Sequence, residues 1–201
     1  MITRDLWTGK LRLFLLPIAL LVPALLLSGK DVQAQTRGKY KVSVERYVIP
    51  DVTLVNQDGV RVKLGTLLNS KKVTMVDFFY TTCPTVCPVV TAVLFNFQNK
   101  IGPESDRVQL VSISIDPEND TPERVKEYLK RYNAKLGWQG LTGTKDQIEK
   151  AARALNAYTA DKMTILPLIQ LYSSVDNRWV RISGFIGTSA LIAEYEKVLK
   201  P

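Results

Sequence analysis

Both cysteines of this 201-residue chain lie in one short segment, Phe78-Phe79-Tyr80-Thr81-Thr82-Cys83-Pro84-Thr85-Val86-Cys87-Pro88. The run leading into it, Val73-Thr74-Met75-Val76-Asp77-Phe78-Phe79, is almost wholly apolar and bounded by turn residues, which reads as a buried strand. After Pro88, apolar residues recur at Val89, Val93, Leu94 and Phe97, which is helical spacing. The cysteines therefore fall on a strand-to-helix turn, where unpaired amides at the helix start favour a thiolate. Four residues apart, they are placed to close a disulfide or to share one metal ion.

The missing residue type narrows the chemistry as much as the cysteines do. The chain has no histidine. That removes the usual general base and the commonest metal ligand, and with them any Cys-His dyad or Ser-His-Asp triad. Two cysteines without histidine do not make a four-ligand zinc site. Three options stay open: thiol–disulfide exchange, a soft-metal site on two thiolates, or a structural disulfide. A structural disulfide would close a very short loop and contribute only roughly 2 kcal/mol, little for a core of this size.

The N-terminus carries Arg4, Lys10 and Arg12 and then an uncharged apolar stretch, Leu13 to Leu27. As a helix this stretch covers roughly 23 Å, short of the ~30 Å hydrocarbon core. Extended to Gly29, it becomes an anchor with local thinning of the bilayer. Val32-Gln33-Ala34 equally fits a cleavage site, so residues 1–34 read as either a removable signal peptide or a membrane anchor. Either one exports the remainder, and no nearby cysteine offers a lipid attachment point. Residues 35–47 are mostly polar and read as a linker, and residues 48–201 as one domain. The chain's net charge is +8, of which the leader holds +2. The basic residues are scattered and lack an aromatic ladder or nucleic-acid motif, so nucleic acid is not an expected partner; an acidic redox partner or an anionic membrane surface is.

Within the domain, Val52–Val55 and Val60–Leu64 predict a hairpin around Asp58-Gly59. Val108–Ile115 predicts a second buried strand, followed by a turn in which Thr121 caps a helix with Pro122 at its first position. A helix is expected over Lys145–Ala157, a hairpin over Leu168–Tyr172 and Trp179–Ile182, and a closing helix over Ser189–Leu199. This alternation gives an α/β sandwich with a central mixed sheet flanked by helices. A role for the Asp116–Pro122 segment near the cysteines stays open, but turn and capping chemistry explains Asp116, Asp120, Thr121 and Pro122 without it; Tyr80 and Trp138 are read as packing aromatics.

Phe78–Pro88 with its Cys-x-x-x-Cys-Pro core, together with Ser114-Ile115-Asp116-Pro117-Glu118-Asn119-Asp120-Thr121-Pro122, resembles the SCO/SenC family of thioredoxin-like proteins. The likeness extends over residues 48–199. It implies a thioredoxin-like fold with an N-terminal hairpin in an exported protein, on the periplasmic side of a bacterium. It also implies copper delivery to cytochrome oxidase, thiol redox, or both. Cys83 and Cys87 match the family's paired copper-binding cysteines. The family's third copper ligand is a histidine shortly before the strand Leu168–Tyr172, and here Met163-Thr164-Ile165-Leu166-Pro167-Leu168 contains none. Pro167 instead resembles the cis-proline that thioredoxin-type oxidoreductases set beside their cysteines, a position that would face both sulfurs and leave a carbonyl open to a substrate chain. Thiol peroxidases place a threonine three residues before the reacting cysteine; Tyr80 and Pro84 stand there instead.

The resulting expectation is dithiol/disulfide redox by Cys83, Cys87 and Pro167, with no cofactor. Cys83 is expected to attack and Cys87 to resolve. The alternative is a Cu(I) carrier using Cys83 and Cys87, with Met163 as a candidate thioether ligand. Its partner would be a thiol/disulfide or copper-site protein, such as a cytochrome oxidase subunit. The membrane would be a further contact if the leader stays attached.

Overall fold

All seven residues of β4 (Val73–Phe79), all seven of β5 (Val108–Ser114) and all six of β7 (Leu168–Ser173) are buried. Strands apolar on both faces must be covered on both, so these three form the middle of a layered sheet. The computed structural model describes residues 40–200, apart from the side chains of residues 103–105. The remaining strands are β1 (Tyr40–Glu45), β2 (Thr53–Asn56), β3 (Arg61–Lys63), β6 (Trp138–Thr142) and β8 (Arg178–Gly184). Together the eight run in the order β1-β8-β7-β4-β5-β6-β2-β3. β4, β5 and β6 are parallel, and every other pairing is antiparallel.

The parallel neighbours need crossovers, and helices supply them. α2 (Val86–Lys100) links β4 to β5, and α3 (Pro122–Arg131) links β5 to β6. α1 (Leu64–Leu68), α4 (Lys145–Ala154) and α5 (Thr188–Leu199) complete the set. The Thr121 hydroxyl accepts from the Arg124 amide at 3.4 Å and Pro122 opens α3, as the sequence predicts. Asn177 turns the β7–β8 hairpin at φ +51°, and Gly59 turns β2–β3 at φ +78°.

Three elements depart from the sequence reading. Tyr40–Glu45, inside the expected linker, is an edge strand paired with β8 from Tyr40↔Gly184 to Glu45↔Trp179. Its Val42 and Val44 alternate with charged and polar residues and stay exposed, so the stretch reads as polar although its period is two. The helix Leu64–Leu68 lies where the second hairpin strand was expected to end, and its five residues are too few to show a helical period. β6 is short and carries Gly140 at its centre, which interrupts any apolar run. That glycine is required: a Cβ there would collide with Val125 and lie 3.0 Å from Leu129 Cδ1, both on α3. The leader and the first residues of the expected linker lie outside the described residues.

Candidate dithiol site

β4 ends at Phe79, and the chain turns at once: the Cys83 amide donates to the Tyr80 carbonyl at 3.1 Å. α2 begins at Val86, with Thr85 as the flanking residue whose side chain makes no capping bond. The Cys83 sulfur takes that place, accepting from the Cys87 amide at 3.3 Å. The helix start thus points an unpaired donor at a thiol, the arrangement that stabilises a thiolate. Both cysteines are free thiols; Cys83 is 7% exposed and Cys87 1%.

The two thiols are electrostatically unlike. Burial alone would raise the Cys83 pKa. Hydrogen bonds from the Cys87 thiol, the Cys87 and Thr85 amides and the Tyr80 hydroxyl outweigh it, so Cys83 lies below the ordinary thiol range. Cys87 is pushed far up, first by burial and then by its hydrogen bond and proximity to Cys83. One sulfur is prepared to be a thiolate, and the other holds its proton.

Tyr80, next to the turn, links it to the segment that carries Met163. The Tyr80 hydroxyl, pushed up to about 12 chiefly by burial and then by Cys83, lies 3.3 Å from the Met163 sulfur, and its one proton goes either to that sulfur or to Cys83. The Lys162 ammonium sits 5.5 Å from the centre of the Tyr80 ring. Met163, an expected ligand candidate, is thereby tied to the residue that bonds Cys83. Pro167 immediately precedes β7, whose ladder with β4 ends at Asp77↔Ile169, and it lines a cleft together with Phe78. The proline therefore stands at the end of the sheet where the cysteine turn begins. Its carbonyl accepts from the Gly184 amide at 2.9 Å, which corrects the expectation that this carbonyl is left open. Leu166, directly before it, is 77% exposed.

The turn after β5 does more than cap α3. Asp120 is fully buried; its Oδ2 accepts from the Thr81 amide at 3.0 Å and the Ser114 hydroxyl at 2.6 Å, and its Oδ1 from the Thr81 hydroxyl at 2.5 Å. Asp116 holds Lys162 at 2.5 Å and accepts from Asn119 at 2.9 Å. One turn therefore braces the cysteine loop through Thr81 and the Met163 segment through Lys162. The turn-and-cap reading accounts for Thr121 and Pro122, while the contacts of both aspartates favour the lesser reading of a role near the cysteines; Tyr80, read as a packing aromatic, was missed. The one signal available was two aspartates ahead of a capped helix, which by itself is ordinary turn chemistry.

Beneath Cys87 lies a buried polar chain. The Trp138 indole donates to the Ser112 hydroxyl at 2.9 Å, and Ser112 donates to Asp77 at 2.5 Å. Burial pushes the Asp77 carboxyl up to about 7 against the opposing pull of Ser112. The Thr91 and Tyr128 hydroxyls are 2.7 Å apart nearby, and the Asp77 charge raises the pKa of both Tyr128 and Cys87.

Among the described residues no three His, Cys, Asp or Glu side chains gather closely enough to hold a metal. The donors that are present, Cys83, Cys87 and the Met163 thioether, are soft. They fit Cu(I) and offer no imidazole to Cu(II).

The comparisons agree with this architecture. The SCO1/SenC family model matches residues 42–167. The SCO1 protein homolog of Bacillus subtilis is 37% identical over 108 residues, 53% of this chain and 55% of that protein. SCO1 homolog 1, mitochondrial, of Arabidopsis thaliana is 38% identical over 107 residues, 53% of this chain and 31% of that protein. The chain thus spans about half the length of the first relative and about a third of the second. Among solved structures, BsSco, a member of the Sco family of cytochrome c oxidase assembly proteins in which a disulfide switch was identified, aligns with TM-score 0.65 at 27% identity, over 78% of this chain and 95% of its own. Arabidopsis thaliana ScoI with copper bound aligns with TM-score 0.63 at 29% identity, over 76% of this chain and 99% of its own. The likeness bears out the thioredoxin-like α/β fold, and with the family model spanning well over half of its residues, the chain belongs to the SCO1/SenC family.

Proposed function

We propose that this chain is an exported thiol–disulfide oxidoreductase that reduces a disulfide in a copper-site protein during maturation of cytochrome c oxidase. The carrying observation is the asymmetry of the cysteines: Cys83 is the more exposed and is held below the ordinary thiol range, while Cys87 is sealed and held above it. The Cys83 thiolate attacks one sulfur of the partner's disulfide; that S–S bond breaks and one partner thiolate leaves. Cys87 then gives up its proton to that thiolate and attacks the Cys83 sulfur. The mixed disulfide breaks, the second partner sulfur leaves as a thiolate, and Cys83–Cys87 carries the oxidation. Two electrons pass to the partner, and no cofactor is required. Residues 1–34 would export the domain to the periplasmic side and tether it there if they are retained. Pro167 and the exposed Leu166 supply the edge against which a substrate chain lies.

The test is equilibration in glutathione buffers with mass mapping of the products. A Cys83–Cys87 disulfide, with mixed disulfides trapped on Cys83 in Cys87→Ser, supports this reading; two thiols that stay reduced throughout overturn it.

A second reading has its own observation. The Met163 sulfur, fixed by Tyr80 beside Cys83, completes a set of soft donors, and copper is bound in the related ScoI. In that reading Cu(I) is cargo held by Cys83 and Cys87, with Met163 as a weak third donor.

A further inference from the structure

A cleft of about 530 Å³ opens beside the dithiol turn, between Thr81-Thr82 and the exposed face of α3 formed by Arg124, Glu127, Lys130 and Arg131. Three cations and one carboxylate line it. Among the described residues none of Arg124, Lys130 and Arg131 forms an ion pair. Lys130 and Arg131 lie in the last turn of α3, where the helix dipole favours cations. Arg124 lies in the first turn, where the dipole opposes a cation. Arg131 is held over the Tyr128 ring at 5.4 Å, which keeps its charge on this face.

We infer that this cleft docks an acidic segment of the polypeptide whose disulfide Cys83 attacks. The inference rests on the thiol-exchange reading above and names the chemistry of its partner. Arg124 and Arg131 are two turns apart, about 10 Å along the helix. That span exceeds a single phosphate or carboxylate and matches about three residues of extended chain at about 3.3 Å each. Thr82, exposed at the mouth of the cleft, adjoins Cys83 directly, so a chain seated there delivers a neighbouring disulfide to the Cys83 sulfur. Unpaired positive charge beside the reacting thiolate also speeds the encounter with an acidic partner and keeps a basic one away.

The experiment uses three synthetic peptides of equal length, each with one disulfide flanked by acidic, neutral or basic residues. Their reduction by the full chain is followed by stopped flow across a salt series, and binding of the serine analogues by fluorescence anisotropy. The acidic peptide should react about tenfold or more faster than the neutral one at low ionic strength. That advantage should shrink as salt rises, and Arg124→Glu, alone or with Arg131→Glu, should abolish it. Equal rates for acidic and neutral peptides, with reduction intact, overturn the docking site and leave the redox reading standing. If no peptide is reduced, the redox reading fails; the anisotropy then decides the cleft, and absence of acidic-selective binding overturns it as well.

Discussion

Asp120 grips Thr81 twice, accepting its amide at 3.0 Å and its hydroxyl at 2.5 Å, across 39 residues of sequence. Thr81 is two residues before Cys83, so this carboxylate sets the path of the loop that presents the sulfur. Asp120→Asn cannot accept in the same way and leaves buried donors facing an amide. It should cost about 1–3 kcal/mol of stability, read by urea denaturation. It should also slow Cys83 alkylation at neutral pH, because the helix-start amides lose their aim. Thr81→Val should show a smaller form of both effects. Unchanged alkylation in a well-folded Asp120→Asn protein would mean that the grip serves only the fold.

Copper binding should follow the donor set. Anaerobic titration against a Cu(I) chelator should show binding that Cys83→Ser and Cys87→Ser each abolish and Met163→Leu only weakens. With no histidine in the chain, Cu(II) should bind poorly. Tight Cu(II) binding by the wild-type protein would contradict this ligand assignment.

Asp77 gives a pH signature. Its carboxyl is raised to about 7 by burial, against about 3.9 in an unfolded chain. The folded state therefore binds a proton that the unfolded state has lost between those values. The stability from this group is fully present below pH 4 and is lost as the pH rises to about 7. At 1.36 kcal/mol per unit the loss is on the order of 4 kcal/mol. The absence of histidine keeps imidazole titration out of this window. Denaturation of wild type and Asp77→Asn at pH 5 and pH 8 should show the wild type losing stability relative to the variant at the higher pH. A constant difference between the two would refute the raised carboxyl.

The buried strands were legible because β4 and β5 are continuous apolar runs, and α3 because Thr121-Pro122 is a strong start signal. β1 was hidden because, at the sheet edge, Val42 and Val44 stay exposed among Lys41, Ser43 and Glu45, and the polar composition outweighs a period-two pattern only six residues long. At the site, the cysteine pair was evident from its spacing. The bracing by Asp116 and Asp120 was not, since their partners Lys162 and Thr81 lie 46 and 39 residues away. Local rules explain such residues locally. Tyr80 escaped for a related reason: as a buried aromatic it looks like core, and only the sulfurs on either side give its hydroxyl a role.

The unlike chemistry of the two thiols is read out by selective alkylation of the reduced protein across pH, with mass mapping of each cysteine. Cys83 should react with iodoacetamide much faster than Cys87, with a midpoint below that of an unperturbed thiol. Tyr80→Phe should shift that midpoint upward by removing one donor. Faster labelling of Cys87, or a Cys83 midpoint at or above the ordinary value, would contradict the account.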